Sequence, residues 1–288
     1  MKIVVTHNSP DWDAITSVWL IKRFLPGWDQ AEVRFVPAGS KLERIGNDKV
    51  LHVDTGLGPL DHHQTNDKNV CGASLTFNFV KQANSSQFIV HSSHPEREKH
   101  REEALSRIVR VVVDIDHFGE VFWDNPTADY HEFSLLGVLE GLKLAKPDED
   151  MYYIDVGMTL LDALLHSFEN RIWAEKEIAE RGIKFKTKWG KGIGFETIND
   201  TVLALAQKMR YVVVVRKDPR KGYIRIKARP LEDIDLTLVY EKLKKMDPLA
   251  TWFLHVSKKM LLNGTVKNPT MRPTRLSLDE IIKVLEQI

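Results

Sequence analysis

The sequence predicts an α/β protein, with a parallel sheet in its N-terminal part and a smaller α+β domain in its C-terminal part. In the first part, short apolar strands alternate with a helical pattern, which is the order of a parallel sheet with crossover helices. In the second part, the apolar runs Tyr211–Arg216 and Tyr223–Arg229 flank the turn-rich stretch Lys217–Gly222. That order predicts an antiparallel hairpin mixed with helices.

The N-terminal elements follow from apolar spacing and turn residues. The continuous apolar run Lys2–Thr6 is typical of a buried strand. Asp11 is well placed as the N-cap of a helix that ends at Pro26-Gly27. Two further strands are predicted over Glu32–Pro37 and Lys49–Asp54, so the order strand, helix, strand, strand opens a parallel α/β domain.

The later elements give three predicted segments. Residues 1–150 would form an N-terminal domain, 151–190 a helical linker and 191–288 a C-terminal domain. The remaining predicted elements are helices at 73–82, 95–113, 132–144, 150–181 (interrupted near Gly157), 236–245 and 277–287, and a strand at 251–256.

Composition restricts the class of protein. The only cysteine, Cys71, excludes an intrachain disulfide framework and indicates a reducing compartment, so we expect a cytoplasmic protein. We interpret it as a small buried residue rather than a nucleophile. No apolar run approaches the length of a membrane span, and the N-terminus does not resemble a signal peptide, so no membrane partner is expected.

Charge is divided unevenly along the chain. Residues 1–183 contain 19 Lys and Arg against 29 Asp and Glu, whereas residues 184–288 contain 22 against 11. An acidic, His-containing first part favours metal ligands, and a basic second part favours an anionic partner. The alternative is that the acidic residues of the first part and the basic residues of the second part simply lie on a solvated surface.

Candidate metal ligands follow the apolar strands. His7, Asp11 and Asp13 come after the first strand, Asp54 ends another, and the Asp61-His62-His63 triplet follows a Gly/Pro loop. If the strands are parallel neighbours, these groups converge at one edge of the sheet. Imidazole with carboxylate and no cysteine suits manganese, zinc, iron or cobalt at a catalytic site. The acids suffice for two ions, with one Asp bridging, as in two-metal phosphoryl chemistry.

These motifs carry a family resemblance. The stretch His7-Asn-Ser-Pro-Asp11-Trp-Asp13-Ala resembles the first motif of the DHH phosphoesterase superfamily, Asp54 the second and Asp61-His62-His63 the third. The short spacing from Asp54 and the Asp-His-His-Gln ending look more like the Myg-type (melanocyte proliferating gene) branch of metal-dependent exonucleases. Val113–Gly119 is similar to the fourth motif of that branch.

The resemblance implies roles for these residues. His7, Asp11 and Asp54 would hold one ion, while Asp13, Asp54, His62 and Asp116 would hold the other, so Asp54 bridges. His63 would lie beside the substrate phosphate, which makes His63 and Asp54 the expected catalytic residues. The implied ions are two divalent cations, manganese first, with magnesium, cobalt and zinc as alternatives.

Two features depart from the family pattern. The first motif has the plain DHH form rather than the His/Cys-rich form of the Myg-type branch. In the fourth motif, Asp114 and Asp116 both compete for the ligand role, and we favour Asp116 because it precedes a His-Phe-Gly turn. Asp61, Asp114 and His117 are therefore expected as supporting residues or alternative ligands, with Asp61 orienting a histidine.

The second domain resembles the Myg-type C-terminal part more weakly, through Tyr223–Pro230, Trp252–Ser257 and Leu262–Gly264. A phosphate could be held there by a His, a Ser, backbone amides near a glycine and basic side chains. A core histidine is the alternative for His255, and Lys267 and Arg275 would add charge. The expected substrate-binding residues are His255, Ser257, Lys258, Asn263, Gly264 and Arg272.

The sequence thus predicts a two-metal phosphoesterase that cleaves short single-stranded oligonucleotides in an exonuclease-like manner. One alternative is a small-molecule phosphohydrolase acting on pyrophosphate, a cyclic dinucleotide or a nucleotide phosphate. Another is a catalytically silent nucleotide- or nucleic-acid-binding module. A homodimer is compatible with the sequence.

Overall fold

The computed structural model describes residues 1–43, 46–83, 95–265 and 268–288, and for 95–97 the backbone only. Lys267 lies outside the described residues. The chain divides into two compact units, Met1–Glu169 and Asn170–Ile288. The fold class predicted from the sequence, a parallel sheet in the first part and a mixed α and β second part, is confirmed.

Unit 1 is built on a three-stranded parallel sheet of order β2-β1-β3. The strands are β1 (Lys2–His7), β2 (Glu32–Val36) and β3 (Lys49–His52). The helices are α1 (Trp12–Phe24), α2 (Gly72–Ala83), α3 (Pro95–Asp116), α4 (Asp129–Glu132), α5 (Leu135–Ala145) and the start of α6 (Asp150–Glu180), with a 3-10 turn at Gly119–Phe122.

Helix α1 forms the centre of unit 1. Its residues from Trp12 to Ile21 are all buried, and Asp11 caps it as predicted by accepting hydrogen bonds from Asp13 N and Ala14 N. Helix α6 packs closely on α1, since a β-carbon at Gly157 would lie 2.5 Å from Ile15 Cγ2. The predicted interruption near Gly157 is therefore wrong. This glycine permits close helix packing inside one continuous helix.

Unit 2 contains a six-stranded mixed sheet of order β4-β5-β6-β7-β9-β8. Only β5 and β6 pair in parallel, while the other neighbours are antiparallel. The strands are β4 (Ile183–Thr187), β5 (Gly190–Glu196), β6 (Val213–Lys217), β7 (Ile224–Ala228), β8 (Phe253–Leu254) and β9 (Met260–Asn263), and the helices are α7 (Thr201–Lys208), α8 (Thr237–Met246) and α9 (Leu278–Glu286).

The predicted hairpin is formed by β6 and β7, and Ser277 begins α9 with a capping box to Glu280. The sequence patterns did not predict β4, β5, α7 or β9. Strand β5 is rich in glycine, which weakens strand signals. In the fold, Gly192 accommodates the ring of Phe185.

Some element bounds were also wrong. The predicted strand at 251–256 is only two residues long, and the predicted helix at 132–144 is divided at Phe133-Ser134, where Ser134 starts α5 as its N-cap. Among the described residues, none of the helices combines the length and apolar character needed to span a bilayer.

Candidate metal centre

The parallel sheet brings the first candidate ligands to one edge. His7 is the last residue of the central strand β1, and Asp54 follows the neighbouring strand β3 by two residues. Because β1 lies between β2 and β3, this edge is a topological switch point, where open α/β sheets bind ligands. Asp54 has a left-handed backbone with φ of 51°, a conformation that Asp adopts more readily than most residues.

One group of ligand atoms forms around His7. Its Nε2 lies 3.3 Å from Asp54 Oδ2 and 3.9 Å from Asp11 Oδ1. The same Asp11 oxygen caps α1, so the helix start holds this carboxylate in place. These three side chains could hold a metal ion together.

A second group forms around His62. Its Nε2 lies 3.5 Å from Asp54 Oδ1, 3.5 Å from Asp116 Oδ2 and 3.6 Å from Asp13 Oδ2. Asp54 therefore directs one carboxylate oxygen to His7 and the other to His62. That is the arrangement expected of a carboxylate that bridges two ions.

Three atoms of the second group have no hydrogen-bond partner. They are Asp54 Oδ1, His62 Nε2 and Asp116 Oδ2, and all three are buried. A buried polar atom without a partner costs about 1–3 kcal/mol, and more for a charged group. The groups whose atoms are close enough to share one ion are Asp54 with His62 and His63, and His62 with Asp116 and His117. A divalent cation would satisfy the imidazole nitrogen together with a carboxylate oxygen, so the donor set fits metal binding.

The shifted pKa values of the candidate ligands also favour a bound cation. Burial, followed by the charge of Asp11, raises the pKa of Asp54 to about 8. Burial and neighbouring carboxylates also raise the pKa of Asp13, and burial raises that of Asp116. Burial lowers the pKa of His62, which favours the neutral imidazole that binds metals. The carboxylates would ionise together only with positive charge among them.

Backbone amides of α2 position Asp13. Gly72 N donates to Asp13 Oδ2 at 2.6 Å, and Ala73 N donates to Oδ1 at 2.5 Å. A β-carbon at Gly72 would lie 2.8 Å from Asp54 Cβ and 3.0 Å from Asp13 Oδ2. Gly72 thus leaves room for the site. Sequence reasoning missed it, although a glycine that begins a helix beside a proposed ligand cluster was the available signal.

Asp61 supports His63. It is buried, and its Oδ1 lies 2.7 Å from His63 Nδ1, while its two oxygens also accept from His63 N and Leu57 N. Burial raises the pKa of Asp61, but these hydrogen bonds outweigh that effect and hold it below the usual range. The half-exposed His63 ring therefore has Nδ1 engaged and Nε2 available for another partner.

The two candidates of the fourth motif have different surroundings. Asp116, at the end of α3, contacts His62, whereas Asp114 Oδ2 accepts a hydrogen bond from Trp123 Nε1 at 2.7 Å. His117 Nε2 lies 3.0 Å from Val70 O and 3.8 Å from Asp116 Oδ2. The geometry favours Asp116 over Asp114 as the ligand.

The substrate-binding residues expected in unit 2 fall into two places. His255, Ser257 and Lys258 lie in the turn before β9, where His255 Nδ1 is 2.8 Å from Ser257 Oγ and Lys258 Nζ donates to Asp235 at 2.9 Å. Asn263, Gly264 and Arg272 lie at the other end of β9. The six residues therefore do not form a single phosphate site.

Asn263 belongs to the fold. It is buried, its Nδ2 donates to Thr251 O at 2.7 Å and Arg272 O at 2.8 Å, and its Oδ1 accepts from Thr274 N at 2.7 Å. Gly264 has a positive φ of 99°, and a β-carbon there would collide with the Tyr223 ring. Asn263 thus has a structural role, since it is buried and both of its amide hydrogens are engaged, and its expected substrate role stays a prediction.

Sequence reasoning also missed a cavity of about 600 Å³ in unit 2. Arg225 and Lys227 line it from β7, together with Phe253 from β8. The alternation of apolar and basic residues in β7 signalled that these two cations share a face away from the apolar core.

Comparisons with known proteins add little. No family model matches the sequence, and no curated protein matches it. Among solved structures, the chain is similar to a pGpG-specific phosphodiesterase, PggH from Vibrio cholerae, with 12% sequence identity and a TM-score of 0.26 over 93% of this chain and 94% of that chain. A likeness at this TM-score carries no argument about fold or function.

Proposed function

We propose that this protein is a metal-dependent phosphoesterase of the DHH type that hydrolyses phosphodiester bonds of short single-stranded oligonucleotides. One observation carries the proposal: three buried ligand atoms have no hydrogen-bond partner, and one of them, His62 Nε2, lies 3.5 Å from each of the other two, Asp54 Oδ1 and Asp116 Oδ2. The His7 group beside them shares Asp54, which supports a pair of ions rather than one.

The residues fit two divalent cations. His7, Asp11 and Asp54 would hold one, and Asp13, Asp54, His62 and Asp116 the other. Bound ions would supply an activated water and neutralise charge on the phosphate, with manganese as the first expectation because the ligands are imidazole and carboxylate.

The protein groups contribute positioning and a proton. Asp61 fixes the His63 ring by accepting a hydrogen bond from Nδ1, which leaves Nε2 free; in its protonated form the ring would donate the Nε2 proton to a phosphate oxygen or to the leaving group. The amides of Gly72 and Ala73 hold the Asp13 carboxyl group in place, with Oδ2 3.6 Å from His62 Nε2. The attacking group would be the activated water rather than the cysteine. The single cysteine is buried, and burial raises the pKa of its thiol.

The proposal is tested by measuring turnover of a panel of substrates with each of several metal ions. Protein stripped with a chelator would be given manganese, magnesium, cobalt or zinc, and then labelled dinucleotides, longer single strands, cyclic dinucleotides or pyrophosphate. We expect turnover of dinucleotides and short strands only with a metal, and loss of turnover in His63→Gln with metal content unchanged.

Each outcome of the panel decides between functions. Turnover of pyrophosphate or cyclic dinucleotides alone would replace the proposal by a small-molecule phosphohydrolase. Full metal binding without turnover of any substrate would overturn the enzymatic function and favour a silent binding module.

A further inference from the structure

His117, the residue after α3, is in reach of the candidate metal centre. Its Nε2 lies 3.8 Å from Asp116 Oδ2, and the same oxygen lies 3.5 Å from His62 Nε2. The ring centroids of the two histidines are 6.0 Å apart. One ligand atom from each of these three side chains lies within 4.8 Å of the other two. His117, Asp116 and His62 are therefore close enough to hold one ion together.

Buried atoms without a partner support this group independently of its dimensions. Asp116 Oδ2 and His62 Nε2 are both buried and neither has a hydrogen-bond partner. Buried polar atoms are normally partnered, so each exception requires an explanation. A cation held by the group would give both atoms a partner at once.

The His117 ring is anchored by a carbonyl group. Its Nε2 lies 3.0 Å from Val70 O, and a carbonyl oxygen only accepts hydrogen bonds, so this nitrogen carries a proton. In the neutral ring the lone pair is then on Nδ1. Histidines that bind metals are usually held in this way, with one N–H donating to a carbonyl group or a carboxylate. Val70 lies two residues before Gly72, whose N–H holds Asp13, so one segment supports both side chains.

The two parts of the metal centre differ in their donor atoms. The group around His7 contains one imidazole and two carboxylates, whereas the group that includes His117 contains two imidazoles and one carboxylate. Carboxylates of Asp13 and Asp54 also approach His62 Nε2, at 3.6 and 3.5 Å, so the second imidazole is what distinguishes this position. Imidazole suits zinc and iron, whereas carboxylate suits magnesium and manganese.

We propose that His117 is a further metal ligand, and that its imidazole makes the His62 position selective for zinc or iron(II) while the His7 position favours manganese or magnesium. The centre then holds two unlike ions. This inference rests on the metal centre of the proposed function. It adds the chemical class of the ion at each position.

Metal binding provides the first test and needs no substrate. Metal-free protein receives one equivalent of zinc and an excess of manganese, and elemental analysis after desalting shows one ion of each kind per wild-type chain. Loss of a residue that only supports a ligand weakens metal binding about 10- to 100-fold. His117→Ala therefore weakens zinc binding about 100-fold or more and manganese binding at most about tenfold, and both positions then take manganese.

His131 offers a matched control. Its Nε2 lies 3.1 Å from Asp124 O, so its ring is also held by a carbonyl group. In the part of the chain that the structure describes, His131 belongs to no group that could hold an ion. His131→Ala should keep the zinc and manganese affinities of wild type.

Cobalt(II) absorption provides a second readout, because the visible bands of this ion depend on its donor atoms. Cobalt in the place of zinc shows bands in His117→Ala that differ from those of wild type and of His131→Ala. Added imidazole, which replaces the missing ring, restores both the wild-type bands and the zinc affinity. A variant that has merely lost its fold gains nothing from imidazole.

The outcomes separate this inference from the proposed function. Unchanged zinc affinity and cobalt bands in His117→Ala would overturn the ligand role, whether or not the protein turns over a substrate. An equal loss of zinc and manganese without rescue by imidazole would assign His117 to the fold of its segment. The expected metal binding without turnover of any substrate would refute the phosphoesterase and leave the ligand role of His117 standing.

Discussion

The metal centre of unit 1 and the β8–β9 region of unit 2 both combine histidine with nearby polar and charged side chains, but they differ in what these side chains contact. Around His62, buried ligand atoms face one another without hydrogen-bond partners. Around β9, both amide hydrogens of Asn263 are engaged and its Oδ1 accepts from Thr274 N, while Lys258 is paired with Asp235. The unpartnered oxygens of Asp54 and Asp116 each lie 3.5 Å from the unpartnered His62 Nε2, and the hydrogen-bonded network of Asn263 contains no such group.

The largest effect is expected for Asp54→Ala. Because Asp54 directs one oxygen to each group, its removal should reduce the metal content from two ions per chain to none. The rate should fall by about 10³-fold or more, since the ions supply several kcal/mol of transition-state stabilisation. Metal analysis of the purified variant checks this, with Asp114→Ala as a control that keeps both ions. Retention of one ion would contradict the bridging role.

The sequence was sufficient to bring the candidate ligands together because His7 and Asp54 follow apolar strands and the others lie within short spacings of them or at the end of a helix. His7 and Asp54 could be placed at one sheet edge from strand order alone, and Asp116 from the turn after it. The glycine at the start of α2 was visible in the sequence, but the hydrogen bonds from Gly72 N and Ala73 N to Asp13 could not be anticipated, because they cross a sequence separation of about 60 residues. Long-range contacts of this kind leave no local pattern.

Unit 2 was predicted less completely for a different physical reason. Strand β5 contains three glycines, and β8 is two residues long, so neither carries a strong apolar alternation. Asn263 resembled part of a Gly-rich binding loop in sequence. Only the fold reveals that Thr251, Arg272 and Thr274 surround its amide.

Asn263→Ala should have the next largest effect, on stability rather than on metal binding. It leaves two carbonyl groups and the Thr274 N–H without partners, which costs roughly 2–4 kcal/mol of unfolding free energy. Denaturant unfolding checks this, with the exposed Asn268→Ala as a control expected within about 0.5 kcal/mol of wild type. If Asn263→Ala instead kept full stability and raised KM, the amide would belong to a substrate site after all.

The pH dependence of the metal-free protein sharpens the comparison further. The pKa of Asp54 is raised to about 8 in the fold, so its neutral form stabilises the protein below about pH 4, and this contribution is lost as the pH rises toward 8. Asp54→Asn, which stays neutral, should therefore be more stable than wild type by a few kcal/mol at pH 8, with the difference vanishing near pH 4.

Unfolding curves in chelator between pH 4 and pH 8.5 measure this difference. Added manganese should reverse it, because the ions stabilise wild type by mass action and bind Asp54→Asn weakly. A pH-independent difference between the two proteins would exclude a charge effect at Asp54.

Lys258 should show the smallest effect. Its ion pair with Asp235 at 2.9 Å is about half exposed, and such pairs contribute less than about 1 kcal/mol. Lys258 also has a left-handed backbone with φ of 57°, a conformation that favours glycine. Lys258→Ala should thus lose slightly in stability, while Lys258→Gly should recover the loss by relieving the backbone. Neither should change KM for a dinucleotide. A tenfold increase in KM in both variants would return Lys258 to the substrate-binding residues and remove the contrast between the two regions.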